Sequence, residues 1–188
     1  MSLHVVCGPM FSGKTTLAMQ TVRRYRSVGT QVMIISHSSD TRYTQEGVSS
    51  HDRIVMDSHL CMALMPMLDE PEWNAAKVIV VEEAQFFPDL LDFCIAAVEH
   101  HKKTVFVYGL DGNYKRQAFG QILQLCSLAD SFQKISAFCK LCQTDNTPGL
   151  FTASMKPMPQ DGICVGGADV YAAVCRQHYL AVNEKNKV

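Results

Sequence analysis

Gly8-Pro9-Met10-Phe11-Ser12-Gly13-Lys14-Thr15 fits G-x-x-x-x-G-K-[ST], a loop that wraps phosphate groups. Its glycines let backbone N–H groups turn inward around phosphate oxygens, and a helix starting at the loop adds its positive N-terminal end. In that arrangement Lys14 reaches the β- and γ-phosphates, and the Thr15 hydroxyl ligates Mg²⁺. The flanks agree. His4-Val5-Val6-Cys7 reads as a short strand running into the loop, and residues 16–28 read as a helix leaving it. The alternative, a glycine-rich turn with a stray lysine, leaves both flanks unexplained.

Strand and helix patterns alternate through the first two-thirds of the chain. Residues 31–36, 78–81 and 104–108 are short apolar or β-branched runs bounded by charge or glycine. Residues 88–100 open on Pro-Asp and carry apolar positions at helical spacing, so they predict a helix with an acidic first turn. A further short helix is expected over residues 120–128, and a last core strand over 132–138. Short apolar strands alternating with helices imply an α/β fold: a P-loop (RecA-like), mostly parallel sheet flanked by helices. Ligands in such sheets bind at the carboxyl ends of the strands. The polar motifs fall there: the loop above, then Asp40-Thr41-Arg42, Glu82-Glu83 and Asp111-Gly112-Asn113.

The chain has 188 residues, 47% of them hydrophobic, which is enough for one substantial core and a small appendage. A net charge of −1 provides no global basic field for nucleic acid or an anionic membrane. The basic runs Arg23-Arg24-Tyr25-Arg26 and Lys115-Arg116 read as solvated faces or subunit contacts. No basic-then-apolar leader is seen, and no apolar stretch nears the roughly 18 residues that span a bilayer. Of eight cysteines, Cys7, Cys61, Cys94, Cys126 and Cys164 are scattered singly among apolar residues, as reduced core thiols are. A reducing, cytoplasmic location is expected.

From Cys139 onward the chain becomes turn-rich, which predicts a boundary: residues 1–138 for the nucleotide-binding part, 139–188 for a small loop-built unit. Cys139-Lys140-Leu141-Cys142 and Cys175-Arg176-Gln177-His178 are two C-x-x-[CH] knuckles. Together they supply four ligands for a closed, tetrahedral, structural zinc site that clamps a segment whose own core is too small. Coincidence, a redox dithiol and a zinc ribbon on DNA are the alternatives; a dithiol needs no second pair, and a ribbon wants more basic residues. Imidazole serves zinc well but must be neutral to bind, so affinity should fall at mildly acid pH. The tail after Tyr179 is polar and expected to fray.

Val80-Val81-Glu82-Glu83 places two acids at the end of a buried strand. One acid is needed beside Mg²⁺, usually through water, and a second suits the site where an attacking hydroxyl loses its proton. Glu82 is assigned to the metal side and Glu83 to the hydroxyl. A charge cluster opening the next helix is the alternative.

These motifs resemble the type II thymidine kinases, the cytosolic and poxvirus-like family. The resemblance runs through the phosphate loop, Asp40-Thr41-Arg42-Tyr43, His51-Asp52-Arg53, Glu83-Ala84-Gln85-Phe86-Phe87-Pro88-Asp89 and Leu110-Asp111-Gly112. It continues through Gln117-Ala118-Phe119, both knuckles and Val165-Gly166-Gly167-Ala168-Asp169-Val170-Tyr171. It implies transfer of the γ-phosphoryl of ATP to the 5′-hydroxyl of thymidine, with deoxyuridine as a second acceptor. By position, Glu83 takes the general-base place, Lys14 and Arg42 stabilise the transferring group, and Thr15, Glu82 and Asp40 hold Mg²⁺. The ATP–Mg²⁺ site would comprise Gly8, Pro9, Met10, Phe11, Ser12, Gly13, Lys14 and Thr15, then Asp40, Thr41, Arg42, Glu82, Glu83, Ala84 and Gln85. A lid loop, the lasso, would bring Gly162, Ile163, Cys164, Val165 and Gly166 to the thymine edge with Tyr171 behind. Met10, Phe86, Leu110, Tyr114 and Phe119 would wall the base.

The resemblance also implies a homo-oligomer, a tetramer or dimer, and inhibition by dTTP, while the charge balance and the lack of a long apolar run lead to an expectation of no nucleic-acid or membrane partner. Glu82 stands where aspartate is usual, Tyr114 where phenylalanine is common, and residues 154–163 lack the family's basic residues. The short N-terminus suits a short viral-type protein or one domain of a longer chain. The competing reading is a P-loop ATPase with a zinc ribbon acting on nucleic acid. An ATPase needs a polarised water, and usually a neighbour's arginine; this chain offers an acid and an aromatic pocket.

Overall fold

A computed structural model describes residues 1–38, 48–49, 55–142, 146–156 and 166–185. The first strand, β1 (Ser2–Cys7), alternates half-buried and buried positions, sending Leu3, Val5 and Cys7 into the main core. After the phosphate loop, helix α1 (Lys14–Ser27) buries Ala18, Met19 and Val22. It stops where Gly29 takes a φ of 75° and its N–H bonds the Arg26 carbonyl at 3.0 Å. Strand β2 (Val32–His37) follows, then a two-stranded antiparallel pair, β3 (Val48–Ser49) and β4 (Val55–Met56).

Strand β5 (His59–Cys61) and a short helix α2 (Pro71–Ala75) lead to β6 (Val78–Glu82), which is buried at every position. Helix α3 (Leu90–Ile95) continues as a π turn over Ala96–His100 and feeds β7 (Thr104–Gly109). A 3₁₀ helix, Ile122–Ser127, precedes β8 (Ser131–Lys134). The six strands form one sheet in the order β5-β2-β6-β7-β1-β8, every pair parallel. Helix α1 packs on one face with Ile34, Val78, Val80 and Tyr108. The opposite face buries Trp73, Phe87, Leu90, Phe93, Ile122 and Leu125. This is the expected parallel α/β sheet covered on both sides.

Two expectations change on this side of the molecule, and Asp89 has an additional role. The last core strand is two strands: β8 joins the sheet, and β9 (Ala137–Phe138) leaves it to pair with β10 (Pro148–Gly149). Strand β5 forms an edge of the sheet where no strand was expected. Asp89 does not cap its own helix but accepts N–H bonds from Leu64 (2.8 and 3.0 Å) and Met65 (2.8 Å), pinning the loop after β5.

Beyond β10, β11 (Phe151–Ser154) and β12 (Tyr171–Val174) make an antiparallel hairpin, and α4 (Arg176–Lys185) docks on it. This segment is less loop-built than its sequence implies. Ala153, Ala172, Val174 and Tyr179 form a small apolar cluster with Cys139 and Cys175. The tail does not fray at Tyr179; α4 carries the helix on to Lys185 because Tyr179 and Val182 pack into that cluster. Cys7 and Cys94 are buried as expected, whereas Cys126 is exposed and Cys61 half-buried. Among the described residues no helix is long and apolar enough to cross a membrane.

Candidate active site and metal centre

Cys7, Glu82 and Gly109 end β1, β6 and β7 on one edge of the sheet, in the register Cys7↔Gly109 and Ser36↔Glu82. The phosphate loop leaves this edge with its backbone already turned. Phe11 has a φ of 64° and Gly13, the residue that caps α1, a φ of 83°. Position 13 therefore calls for glycine, since a side chain in the left-handed region is strained. The loop is closed on itself: Pro9 O accepts hydrogen bonds from Lys14 Nζ at 2.7 Å and Ser12 Oγ at 2.8 Å. Gly8 N–H is tied to the Gly109 carbonyl at 3.3 Å.

Glu82 is 4% exposed and Thr15 Oγ1 donates to its Oε2 at 3.3 Å. Strand β7 lies between β1 and β6, so this contact crosses a strand to join the head of α1 to the acid strand. Two hard oxygen donors at the N-terminus of a helix fit a small divalent cation beside phosphates. Glu83, the next residue, is in the left-handed region at φ 51°, ψ 39°. A non-glycine residue there costs on the order of 1–3 kcal/mol and persists only where its surroundings over-determine it. The kink ends β6 and starts the 3₁₀ turn Ala84–Phe86, with Phe86 N–H bonding the Glu83 carbonyl at 3.1 Å. Gln85 Nε2 donates to Glu83 Oε2 at 2.5 Å, and Gln85 Oε1 accepts the Leu110 N–H at 2.9 Å.

The expected base-walling residues lie around this edge. Phe86 and Phe119 meet at 5.4 Å with rings 84° apart, edge to face. Met10 is 8% exposed and its N–H donates to Thr152 Oγ1 of β11 at 3.0 Å. Thr152 and Ser154 share one face of the hairpin, and Tyr171 pairs opposite Ser154, so Tyr171 lies on the face that meets the phosphate loop. The carbonyl of half-buried Tyr114 accepts the Tyr179 hydroxyl at 2.7 Å. Arg116 lies 4.3 Å from the Tyr179 ring centre, a second tie between the loop carrying Tyr114 and α4. Gly166 is half-buried at the approach to β12. Asp40, Thr41, Arg42, Gly162, Ile163, Cys164 and Val165 lie outside the described residues.

Sequence reasoning missed several neighbours. His37, 6% exposed at the end of β2, is packed between Phe86 (5.5 Å) and Phe87 (4.9 Å). Lys134 pairs with Asp111 at 2.5 Å. Thr152 supports Met10 from 142 residues away, and no local pattern could have shown it. Burial first, and the Asp111 charge second, push the Cys7 thiol up to about 11. The thiol nearest the phosphate loop is therefore protonated and not a nucleophile.

The four expected metal ligands converge, with all ligand atoms within 4.8 Å of one another. His178 Nδ1 lies 3.5 Å from Cys139 Sγ, 3.3 Å from Cys142 Sγ and 3.3 Å from Cys175 Sγ, and the Cys142 and Cys175 sulfurs are 3.8 Å apart. Zinc bonds of about 2.3 Å to sulfur and about 2.0 Å to nitrogen, set tetrahedrally, separate sulfur pairs by about 3.8 Å and sulfur–nitrogen pairs by about 3.5 Å. The spacing fits a zinc ion, and it identifies Nδ1 as the imidazole donor. Burial pushes the Cys139 thiol up, but backbone groups of Cys175, Leu141 and Cys142 outweigh it and hold the thiol at about 6.

A family model described as thymidine kinase matches residues 1–179. The chain belongs to the thymidine kinase family. Among its relatives, thymidine kinase a of Arabidopsis thaliana is 38% identical over 185 residues, covering 95% of this chain and 75% of the relative. The cytosolic thymidine kinase of Gallus gallus is 39% identical over 178 residues, covering 95% and 76%. The thymidine kinase of fowlpox virus is 32% identical over 183 residues, covering 96% and 97%. Membership in the thymidine kinase family makes the chain a phosphotransferase and disfavours the zinc-ribbon ATPase.

Proposed function

We propose that this chain transfers the γ-phosphoryl of ATP to the 5′-hydroxyl of thymidine, giving dTMP and ADP. One observation carries the reading: Glu83, held in a left-handed kink, follows directly on Glu82, whose carboxylate meets Thr15 at the head of α1. A second, separately held acid one residue beyond Glu82 supports a division in which one acid serves the metal and the other the acceptor hydroxyl.

In the proposed reaction the 5′-oxygen forms a bond to the γ-phosphorus as the bond to the β,γ-bridging oxygen breaks. The hydroxyl proton passes to the Glu83 carboxylate. Lys14, resting on the Pro9 carbonyl, exchanges that partner for phosphate oxygens, and Arg42 is assigned to the same developing charge. Thr15 and Glu82, with Asp40, would hold Mg²⁺, which offsets the phosphate charge when bound. The remaining phosphate contacts are assigned to Gly8 to Thr15, Thr41 and Ala84. Removing Lys14 takes away charge that matters most in transit. Lys14→Ala should lower kcat by about 10²- to 10³-fold while ATP still binds, as equilibrium binding of a non-hydrolysable ATP analogue would reveal.

The base pocket is assigned to Met10, Phe86, Leu110, Tyr114 and Phe119, with backbone at residues 162–166 and Tyr171 closing it. Residues 139–188 then act as a zinc-anchored lid on the nucleotide-binding part, 1–138. A lid excludes water during transfer and opens for release. One methyl in an apolar pocket is worth about 1–3 kcal/mol, so deoxyuridine should remain a slower substrate. The reading extends to a homo-oligomer in the cytoplasm, with dTTP occupying the same sites as a feedback inhibitor.

A phosphorylation assay of the four deoxynucleosides and deoxyuridine with ATP–Mg²⁺ tests this, with zinc measured on the same sample. Thymidine should lead, deoxyuridine should follow, and dTTP should compete with thymidine. ATP hydrolysis indifferent to thymidine but stimulated by nucleic acid would favour the zinc-ribbon ATPase instead.

A further inference from the structure

Gln85 is 3% exposed, yet its amide is used at both ends. The Leu110 N–H can only donate, so Oε1 must face it, and that orientation turns Nε2 onto Glu83. A carboxylate can only accept, so the arrangement has one chemically consistent orientation. Close packing holds it there. A side chain at Gly109 would start 2.6 Å from Gln85 Oε1 and 3.1 Å from Ala84 N, so β7 can approach the amide only because residue 109 is glycine.

Glu83 needs such a restraint. Its backbone is in the left-handed region, and a glutamate side chain gives up rotamer freedom when it is fixed. Bonding to Gln85 at 2.5 Å holds Oε2 from within the same turn. The other end of the amide holds the backbone of Leu110, a residue assigned to the base pocket. A single side chain therefore spans the two places where the nucleoside must be gripped, at its 5′ end and at its base.

We infer that Gln85 is a positioning residue, fixing the Glu83 carboxylate relative to the pocket wall at Leu110 so that the 5′-hydroxyl arrives within reach of its base. This rests on the assignment of Glu83 as that base. Misplacing a reacting group by about 1 Å can cost on the order of 10²-fold, so loss of the clamp should appear in turnover more than in ATP affinity. Met or Leu in its place would leave the half-buried Leu110 N–H without this acceptor. Glu would keep that acceptor but remove the donor to Glu83 and set one carboxylate against another.

The test is a double-mutant cycle read by single-turnover kinetics. Gln85→Met should lower the rate of the chemical step at least tenfold, with KM for ATP within about twofold of the parent, and KM for thymidine should rise. In a Glu83→Gln background the same substitution should cost less than twofold, because no base remains to be misplaced. Equal cost in both backgrounds, or an unchanged rate in Gln85→Met, would overturn the inference while leaving Glu83 as base. A Glu83→Gln parent within tenfold of wild type would overturn the base assignment itself, and the positioning role with it. If Gln85→Met does not fold, Gln85→Glu replaces it: a fall of at least tenfold is expected, and full activity would overturn the inference.

Discussion

Glu83→Gln should lower kcat by about 10²- to 10⁴-fold, the usual worth of a positioned general base. The substitution is close to isosteric, so the fold has little reason to change. The left-handed backbone at residue 83 penalises both residues alike, and an amide oxygen can still accept the Gln85 N–H. What disappears is a group able to take the proton of the 5′-hydroxyl. Both KM values should therefore stay near the parent's while the chemical step slows, and a burst of product should be absent. Glu82→Gln provides the contrast. Its carboxylate meets Thr15 at the head of α1, so that change should raise the Mg²⁺ concentration needed for half-maximal rate before it affects the acceptor. If Glu83→Gln kept its chemical step within tenfold of the parent, or if the two variants exchanged phenotypes, the division of labour between the acids would be wrong.

The acid pair itself is readable in the sequence. Two acids at the end of an apolar run announce themselves, because a strand buried at every position tolerates charge only where it emerges. The phosphate loop is legible for a similar reason: its glycines, lysine and threonine lie within the eight residues Gly8 to Thr15, so local backbone geometry brings them together. The clamp on Glu83 is not. Gln85 is two residues away in the chain, but its meaning depends on Leu110, brought alongside by the parallel pairing of β6 and β7.

The same contrast runs through the fold. The buried strands β2, β6 and β7 were visible as apolar runs, whereas β5 is three partly exposed residues whose place depends on β2 and on Asp89 pinning the loop beyond it. The break between β8 and β9 was hidden because one continuous stretch serves two sheets. Helix α4 was hidden because its sequence is polar. It is helical because His178 faces the thiols and Tyr179 packs beneath the hairpin, contacts made with residues far upstream. The zinc knuckles were fully legible, since two ligands on one short turn need nothing distant to bring them together.

Stripping zinc, or Cys175→Ser, should unfold the segment from β9 to α4 while the parallel sheet stays intact. The core of that segment is small: Ala153, Ala172, Val174 and Tyr179 supply most of its apolar bulk. Structural zinc contributes about 10–16 kcal/mol of apparent binding energy in small domains, far more than a cluster of that size can. The sheet has its own core around Trp73, Phe87, Phe93 and Ile122 and needs no metal. Loss of zinc should thus remove hydrogen-exchange protection from β11, β12 and α4 but spare β1, β6 and β7. It should also release the Tyr179 hydroxyl from the Tyr114 carbonyl and the Thr152 hydroxyl from the Met10 N–H. Thymidine should then bind at least tenfold more weakly, with ATP affinity changing little. Acid should act in the same direction, because protons compete with the metal for three thiolates and an imidazole, so zinc should be released as pH falls. Cobalt substitution supplies an independent readout, because three cysteine thiolates should give sulfur-to-metal charge-transfer absorption. A cobalt protein without those bands, or a metal-free protein with unaltered protection in α4 and unaltered thymidine affinity, would refute the role given to the four ligands.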